Sequence, residues 1–353
     1  VRDLWAGVDR LVDSAPGLEE LRSHRIQLLA ARRWRALGRP VPPELIEEAR
    51  WAGVVALTTP LVLEKVRAAC EGPLVLIKGA EVAARYPEPT LRPCKDIDLL
   101  VPDPAEVQAA LLAAGFEPVG HEGPYEEVQH LRPLHCPGLP LYVEVHSYPN
   151  WPAGLVPPST EELVEAAVPS SVGVDGVLAP LPAHHALLLA AHAWAHDPLG
   201  TLSQLVDVAA VAAEAKPDEL GALARRWRLS KVWTTTAAAA EAVLFGSHDT
   251  LPLRLWARHL RTARQLTVFE MHLTRLLSPF WGTPFPTALR LGSESLFGEL
   301  RRAPGESWPR KIARTGLALR DASVARSVHD RKLEAGELSA PAYIEQVRAR
   351  NER

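Results

Sequence analysis

Two aspartates two residues apart, Asp96 and Asp98, stand in the apolar run Asp96-Ile97-Asp98-Leu99-Leu100-Val101. Side chains alternate across a strand with period 2, so the two carboxylates share one face while Ile97 and Leu99 point into a core. Like charges on one face of a buried strand repel each other and are costly to desolvate, and a divalent cation between them relieves both penalties. The chemistry on offer is oxygen coordination of such a cation. Upstream, the apolar stretch Leu74-Val75-Leu76-Ile77 ends at Lys78-Gly79-Ala80, ahead of a helix-compatible segment from Glu81 to Arg85. Downstream, Tyr142, Glu144 and His146 share one face of a strand whose other face carries Val143 and Val145.

Positioning these groups requires a sheet. Residues 74–150 alternate strand and helix: a strand over 97–101, a helix over 105–114 stopped by Gly115, and a short strand over 116–119. Strands over 128–134 and 141–146 follow, joined by a hairpin-type turn at Cys136-Pro137-Gly138-Leu139-Pro140. Before this region the chain reads as helices, with a break at 38–43 and a helix from Pro43 to Cys70, kinked near Thr58-Thr59-Pro60. From Ser159 onward it reads as largely helical, with helices over 183–195, 202–215, 218–227, 234–244 and 251–277. Residues 279–286 read as a proline-rich loop, and 311–353 as a charged helical tail interrupted at 337–341. The expected fold class is α+β: a small mixed β-sheet core over 73–150, an N-terminal helical segment over 1–72 and a larger C-terminal helical domain over 158–353.

With 353 residues, 47% of them hydrophobic and 23% charged, the chain can bury a sizeable core. A net charge of -3 gives no global basic field, which argues against nucleic acid as a partner. The three cysteines, Cys70, Cys94 and Cys136, have no metal-type spacing and suit a reducing compartment. No apolar run is long enough for a membrane span and no secretory core opens the chain, so the cytoplasm is the expected location.

Taken in order, Lys78-Gly79, Arg92-Pro93-Cys94-Lys95-Asp96-Ile97-Asp98-Leu99-Leu100 and Val143-Glu144-Val145-His146 resemble the nucleotidyltransferase superfamily with the DNA polymerase β fold. Their wording is closest to its uncharacterised bacterial branch, and the likeness spans residues 20 to 215. The resemblance implies a two-metal Mg2+ site at Asp96, Asp98 and Glu144, with a nucleoside triphosphate as co-substrate. It implies phosphate contacts at Lys78, Gly79, Ala80, Arg92 and Lys95. Where the superfamily usually has Gly-Gly or Gly-Ser, this chain has Gly79-Ala80, which removes a hydroxyl contact.

By analogy with small-molecule nucleotidyltransferases, the helical domain supplies the acceptor's base, for which Asp207 and His196 are candidates. His146, His192 and His196 are assigned to the acceptor side. His185, His192 and His196 follow a helical stripe that also admits zinc, although no further ligand pattern accompanies it. The implied reaction moves a nucleoside monophosphate from the triphosphate to a hydroxyl or phosphate of a small molecule or peptide, with natural-product tailoring among the roles. The alternatives are a non-catalytic nucleotide- or phospho-ligand-binding module on the same fold, and a toxin-like modifier of tRNA or protein.

Overall fold

The computed structural model describes residues 3–119, 129–302, 305–324 and 327. Four helices open the chain: α1 (Leu4–Ser14), α2 (Leu18–Ser23), α3 (Gln27–Ala36) and α4 (Pro43–Ala69). The Asp3 carboxylate caps α1 by accepting from the Trp5 and Ala6 amides at 2.9 and 3.2 Å. Pro43 stands in the first turn of α4, where its missing N–H costs nothing. Pro60 sits inside that helix and it continues as one element. The Thr58 and Thr59 hydroxyls donate to the Val54 and Val55 carbonyls at 2.9 and 2.8 Å, occupying acceptors in the turn the proline disturbs.

The sheet follows: β1 (Leu74–Leu76), α5 (Ala80–Ala83), β2 (Asp96–Leu100), α6 (Pro104–Ala113), β3 (Glu117–Pro118), β4 (Leu134–His135) and β5 (Tyr142–His146). After α7 (Thr160–Glu165), two more strands, β6 (Val168–Pro169) and β7 (Val177–Ala179), complete a seven-stranded mixed sheet in the order β3-β4-β5-β2-β1-β7-β6. β2 runs antiparallel to β1 and parallel to β5. The two faces have different company. Leu76, Ile97, Leu99, Val143 and Val145 pack with Val62, Leu63 and Val66 of α4 and Leu111 of α6. Val75, Ile77 and Leu100 instead join a core that the N-terminal helices share with the helices after the sheet. The period-2 expectation for the Asp-Ile-Asp strand therefore holds: Ile97 and Leu99 belong to one core, and the aspartates look toward the helices.

Those helices are α8 (Pro182–His196), α9 (Leu202–Ala212), α10 (Pro217–Arg226), α11 (Ser230–Phe245), α12 (Leu251–Leu255), α13 (Val268–Leu277), α14 (Pro279–Gly282), α15 (Phe285–Leu300) and α16 (Trp308–Ser323). Within this core the Trp194 indole donates to the Thr236 hydroxyl at 2.8 Å. The architecture is α+β, as expected, and differs from the sequence reading in four places, the first being that the strand expected over 128–134 is reduced to Leu134–His135 among the described residues. The segment after 159 is not purely helical, because β6 and β7 extend the sheet, with β7 parallel to β1. The expected helix over 251–277 is broken: Ala263 takes a left-handed φ of 46°, and Thr267 starts a new helix through a reciprocal capping box with Glu270. The expected loop over 279–286 instead holds the whole of α14 and the start of α15, with Pro279 and Pro286 in their opening turns. Val128 and residues 328–353, including the interruption expected at 337–341, lie outside the described residues. Cys70, Cys94 and Cys136 are free thiols. Among the described residues no helix is long and apolar enough to cross a membrane.

Candidate metal and nucleotide site

The register of the central strands sets the geometry. Asp98 is the direct partner of Glu144, and Asp96 of Tyr142, on neighbouring parallel strands. Paired residues project to the same side, so Asp98 and Glu144 face one space together. The Asp98 side chain is fully buried: Oδ1 accepts from Lys78 Nζ and lies beside His146 Nε2, both at 3.1 Å. Its Oδ2 is buried and has no hydrogen-bonding partner among the described residues. An ionised carboxylate with one oxygen left unpaired in a protein interior is expensive. A cation at Oδ2 would remove that cost.

Electrostatics keep the key acid ionised. Burial alone would push the Asp98 carboxyl up, but the Lys78 ammonium and His146 outweigh it and hold the group well below the usual carboxylate range. Burial would likewise lower Lys78, yet the fields of Asp98 and Asp96 leave it raised and charged. For Glu144, the hydrogen bond from His146 overcomes burial and the net shift is downward. His146 is raised in turn by its bonds to Asp98 and Glu144, against burial. Asp96 behaves oppositely: burial and the neighbouring Asp98 charge both raise it.

The metal-capable set differs from the expected one by one residue. Ligand atoms of Asp98, Glu144 and His146 lie within 4.8 Å of one another, and Asp96 is not among them. His146, assigned from sequence to the acceptor side, stands 3.7 Å from Glu144 Oε2 and touches Asp98. Two carboxylates and an imidazole fit a divalent ion. The oxygens suit Mg2+ or Mn2+, and the nitrogen is a donor that Mn2+ and Zn2+ accept more readily.

Gly79 ends β1 in a turn with φ 61° and ψ -120°, a conformation that favours glycine. A Cβ there would come within 3.2 Å of the Asp96 carbonyl oxygen, so the turn lies directly against β2. Ala80 begins α5, a helix of only four residues. Lys95 is exposed beside the site. Arg92 does not open onto free space. Its Nε and Nη2 bind Asp207 Oδ1 and Oδ2 at 2.9 and 2.8 Å, and its Nη1 donates to the Gly79 carbonyl and to Cys94 Sγ at 3.2 and 3.1 Å.

Asp207, a candidate base by sequence, is buried on α9 and also accepts from the Tyr86 hydroxyl at 2.7 Å. With three donors on two oxygens, it is a committed acceptor rather than a free base. From α8, His192 is held neutral: burial and the Lys78 charge push it down to about 2. His196 reaches the surface and is paired with Asn150 at 2.7 Å, its ring 4.7 Å from that of His192, and the partial desolvation of that ring and the Lys78 charge depress it too.

Sequence reasoning missed His130 and Tyr86. His130 lies 3.9 Å from Glu144 Oε2 and 5.3 Å, ring to ring, from His146, brought there by an antiparallel bridge between His130 and His146. Only strand pairing reveals it. Tyr86 could be seen in the sequence, but its partner is 121 residues away.

A family model described as "Uncharacterised nucleotidyltransferase" matches residues 16–244. The chain belongs to that family, and the match begins after α1, takes in α2 to α4 and the whole sheet, and reaches the end of α11. Membership places the protein among transferases that use a nucleoside triphosphate and usually a divalent cation. No curated protein and no solved structure matches the chain.

Proposed function

We propose that the protein is a Mg2+-dependent nucleotidyltransferase. It moves a nucleoside monophosphate from a nucleoside triphosphate to a hydroxyl or phosphate of a small molecule or peptide, natural-product scaffolds included, and releases pyrophosphate. The observation that carries this reading is the pairing of Asp98 with Glu144 across parallel strands, with Asp98 Oδ2 buried and unpartnered. Asp98, Glu144 and His146 would hold the cation, with Asp96 at the more open end of β2 as a further carboxylate. When bound, divalent ions neutralise triphosphate charge and activate the attacking oxygen.

The chain's own groups do the rest. Lys78 supplies a half-buried positive charge for a phosphate oxygen, and the Gly79 turn lets the backbone approach it. The acceptor oxygen forms a bond to the α-phosphorus, and the bond from that phosphorus to the pyrophosphate oxygen breaks. The acceptor's proton goes to the imidazole of His196, which burial and Lys78 keep neutral. Ala80 supports a second reading, a binding module without turnover, because it lacks the hydroxyl that a serine would add to the turn.

The test is nucleotide binding and pyrophosphate release with Mg2+, each triphosphate and a panel of hydroxyl and phosphate acceptors, for wild type and Asp98→Asn. Release by wild type alone supports the enzyme, and binding without release supports the module. Equal release by Asp98→Asn removes the metal-site assignment.

A further inference from the structure

The Arg92–Asp207 pair spends a buried guanidinium and a buried carboxylate 115 residues apart in sequence on one contact. Burying both ions costs about as much as their attraction returns, and apolar residues of similar volume often serve stability as well. A polar pair offers direction, which an apolar pair does not. The contact is bidentate, so it fixes the plane of the guanidinium, and the remaining nitrogen, Nη1, then points at the Gly79 carbonyl. Tyr86 locks the far side of the arrangement through its hydroxyl on Asp207 Oδ1, and its ring lies 5.1 Å from that of Trp5.

We infer that Asp207, through Arg92, is a positioning residue for the phosphate turn: α9 holds the Gly79 peptide, and with it Lys78, in the conformation that receives the triphosphate. This rests on the nucleotidyltransferase reading for the identity of the ligand, but the geometry it claims exists without one. Asp207 is then not the acceptor's base, and Arg92 acts on the backbone that cradles phosphate. Lysine cannot replace Arg92, because one ammonium cannot hold both Asp207 oxygens and the Gly79 carbonyl in a fixed plane.

The decisive variant is the triple substitution Tyr86→Phe, Arg92→Met and Asp207→Leu, which removes the network without leaving a buried charge or hydroxyl unpaired. Two readouts are compared with wild type and with Asp207→Asn: the Kd for a non-hydrolysable triphosphate with Mg2+, and backbone amide exchange over residues 77–83. The triple variant is expected to melt cooperatively, to exchange faster at the turn, and to bind the triphosphate at least about tenfold more weakly. With saturating nucleotide its kcat falls less than its KM rises, and Arg92→Lys shows the same binding defect.

Unchanged exchange at 77–83 in a folded triple variant overturns the inference whether or not nucleotide binds. So does an unchanged Kd. Loss of kcat in Asp207→Asn at unaltered Kd, with the acid limb of the pH profile gone, would restore Asp207 as the base and also overturn it. If wild type binds no triphosphate, the functional reading falls, and amide exchange alone decides this proposal.

Discussion

Gly79→Ala tests the site where backbone and chemistry meet. At φ 61° and ψ -120° an alanine pays for a conformation L-residues rarely adopt, a cost of order 1–3 kcal/mol. Its Cβ would also lie 3.2 Å from the Asp96 carbonyl oxygen, a backbone atom on a strand paired to Tyr142, so the neighbour has little room to give. The total expected loss is about 2 kcal/mol of unfolding free energy. If the peptide rotates to escape, the Gly79 carbonyl leaves Arg92 Nη1, now 3.2 Å away. Triphosphate affinity should then fall about tenfold or more. The control is Gly72→Ala, where an added Cβ meets nothing within 4 Å, with an expected change within about 0.5 kcal/mol. Urea unfolding and calorimetric nucleotide titration of both variants provide the measurements. Equal stabilities for the two would refute the claim that this turn is held in a glycine-only conformation against β2.

Lys78→Met should separate two bindings with opposite signs. The ammonium sits 3.1 Å from Asp98 Oδ1, so its removal tightens Mn2+ binding in the absence of nucleotide while weakening triphosphate binding, both by titration calorimetry. Weakening of both would show that Lys78 does not compete with a cation for Asp98. The buried histidines make stability pH-dependent. His185, whose Nε2 lies 3.0 Å from the Ile77 carbonyl, is pushed down to about 4 by burial and then by the charge of Arg85. Its folded value lies below the unfolded one, so its contribution is whole above about pH 6.5 and is lost as pH falls toward 4, a withdrawal of roughly 3 kcal/mol. Denaturation of wild type and His185→Gln between pH 7 and pH 4.5 should show a shallower acid decline in the variant, and parallel curves would count against this assignment.

Much of the site could be read from residue order because its logic is local. The alternation in Asp96-Ile97-Asp98-Leu99 predicts one acidic and one apolar face, and Ile97 and Leu99 do enter a separate core. Gly79 announces a turn, and its positive φ is the physical reason. What the sequence hid depends on pairing between distant segments. That Glu144 and His146 share a face is legible in the alternation of β5, but that this face meets Asp98 follows from the register of β5 on β2, which no local pattern encodes. β6 and β7 are two and three residues long, too short for a period to register; β7 pairs with β1 and β6 pairs with β7. The break at Thr267 did have a local signature, Thr267 followed three residues later by Glu270, but the apolar residues on either side obscured it.

The brace on the Gly79 turn arrives late in the making of the chain. A ribosome has delivered both aspartates, Glu144 and His146 long before α9 carries Asp207 into contact with Arg92. Until then Arg92 lacks the Asp207 carboxylate that fixes its plane, although Val177 has already been made and can pair with β1. A growing polypeptide thus carries the acids of the site before the Arg92 contact to the Gly79 carbonyl is fixed by Asp207. On the inference drawn from the Arg92–Asp207 contact, the turn gains its brace only after residue 207 has been made.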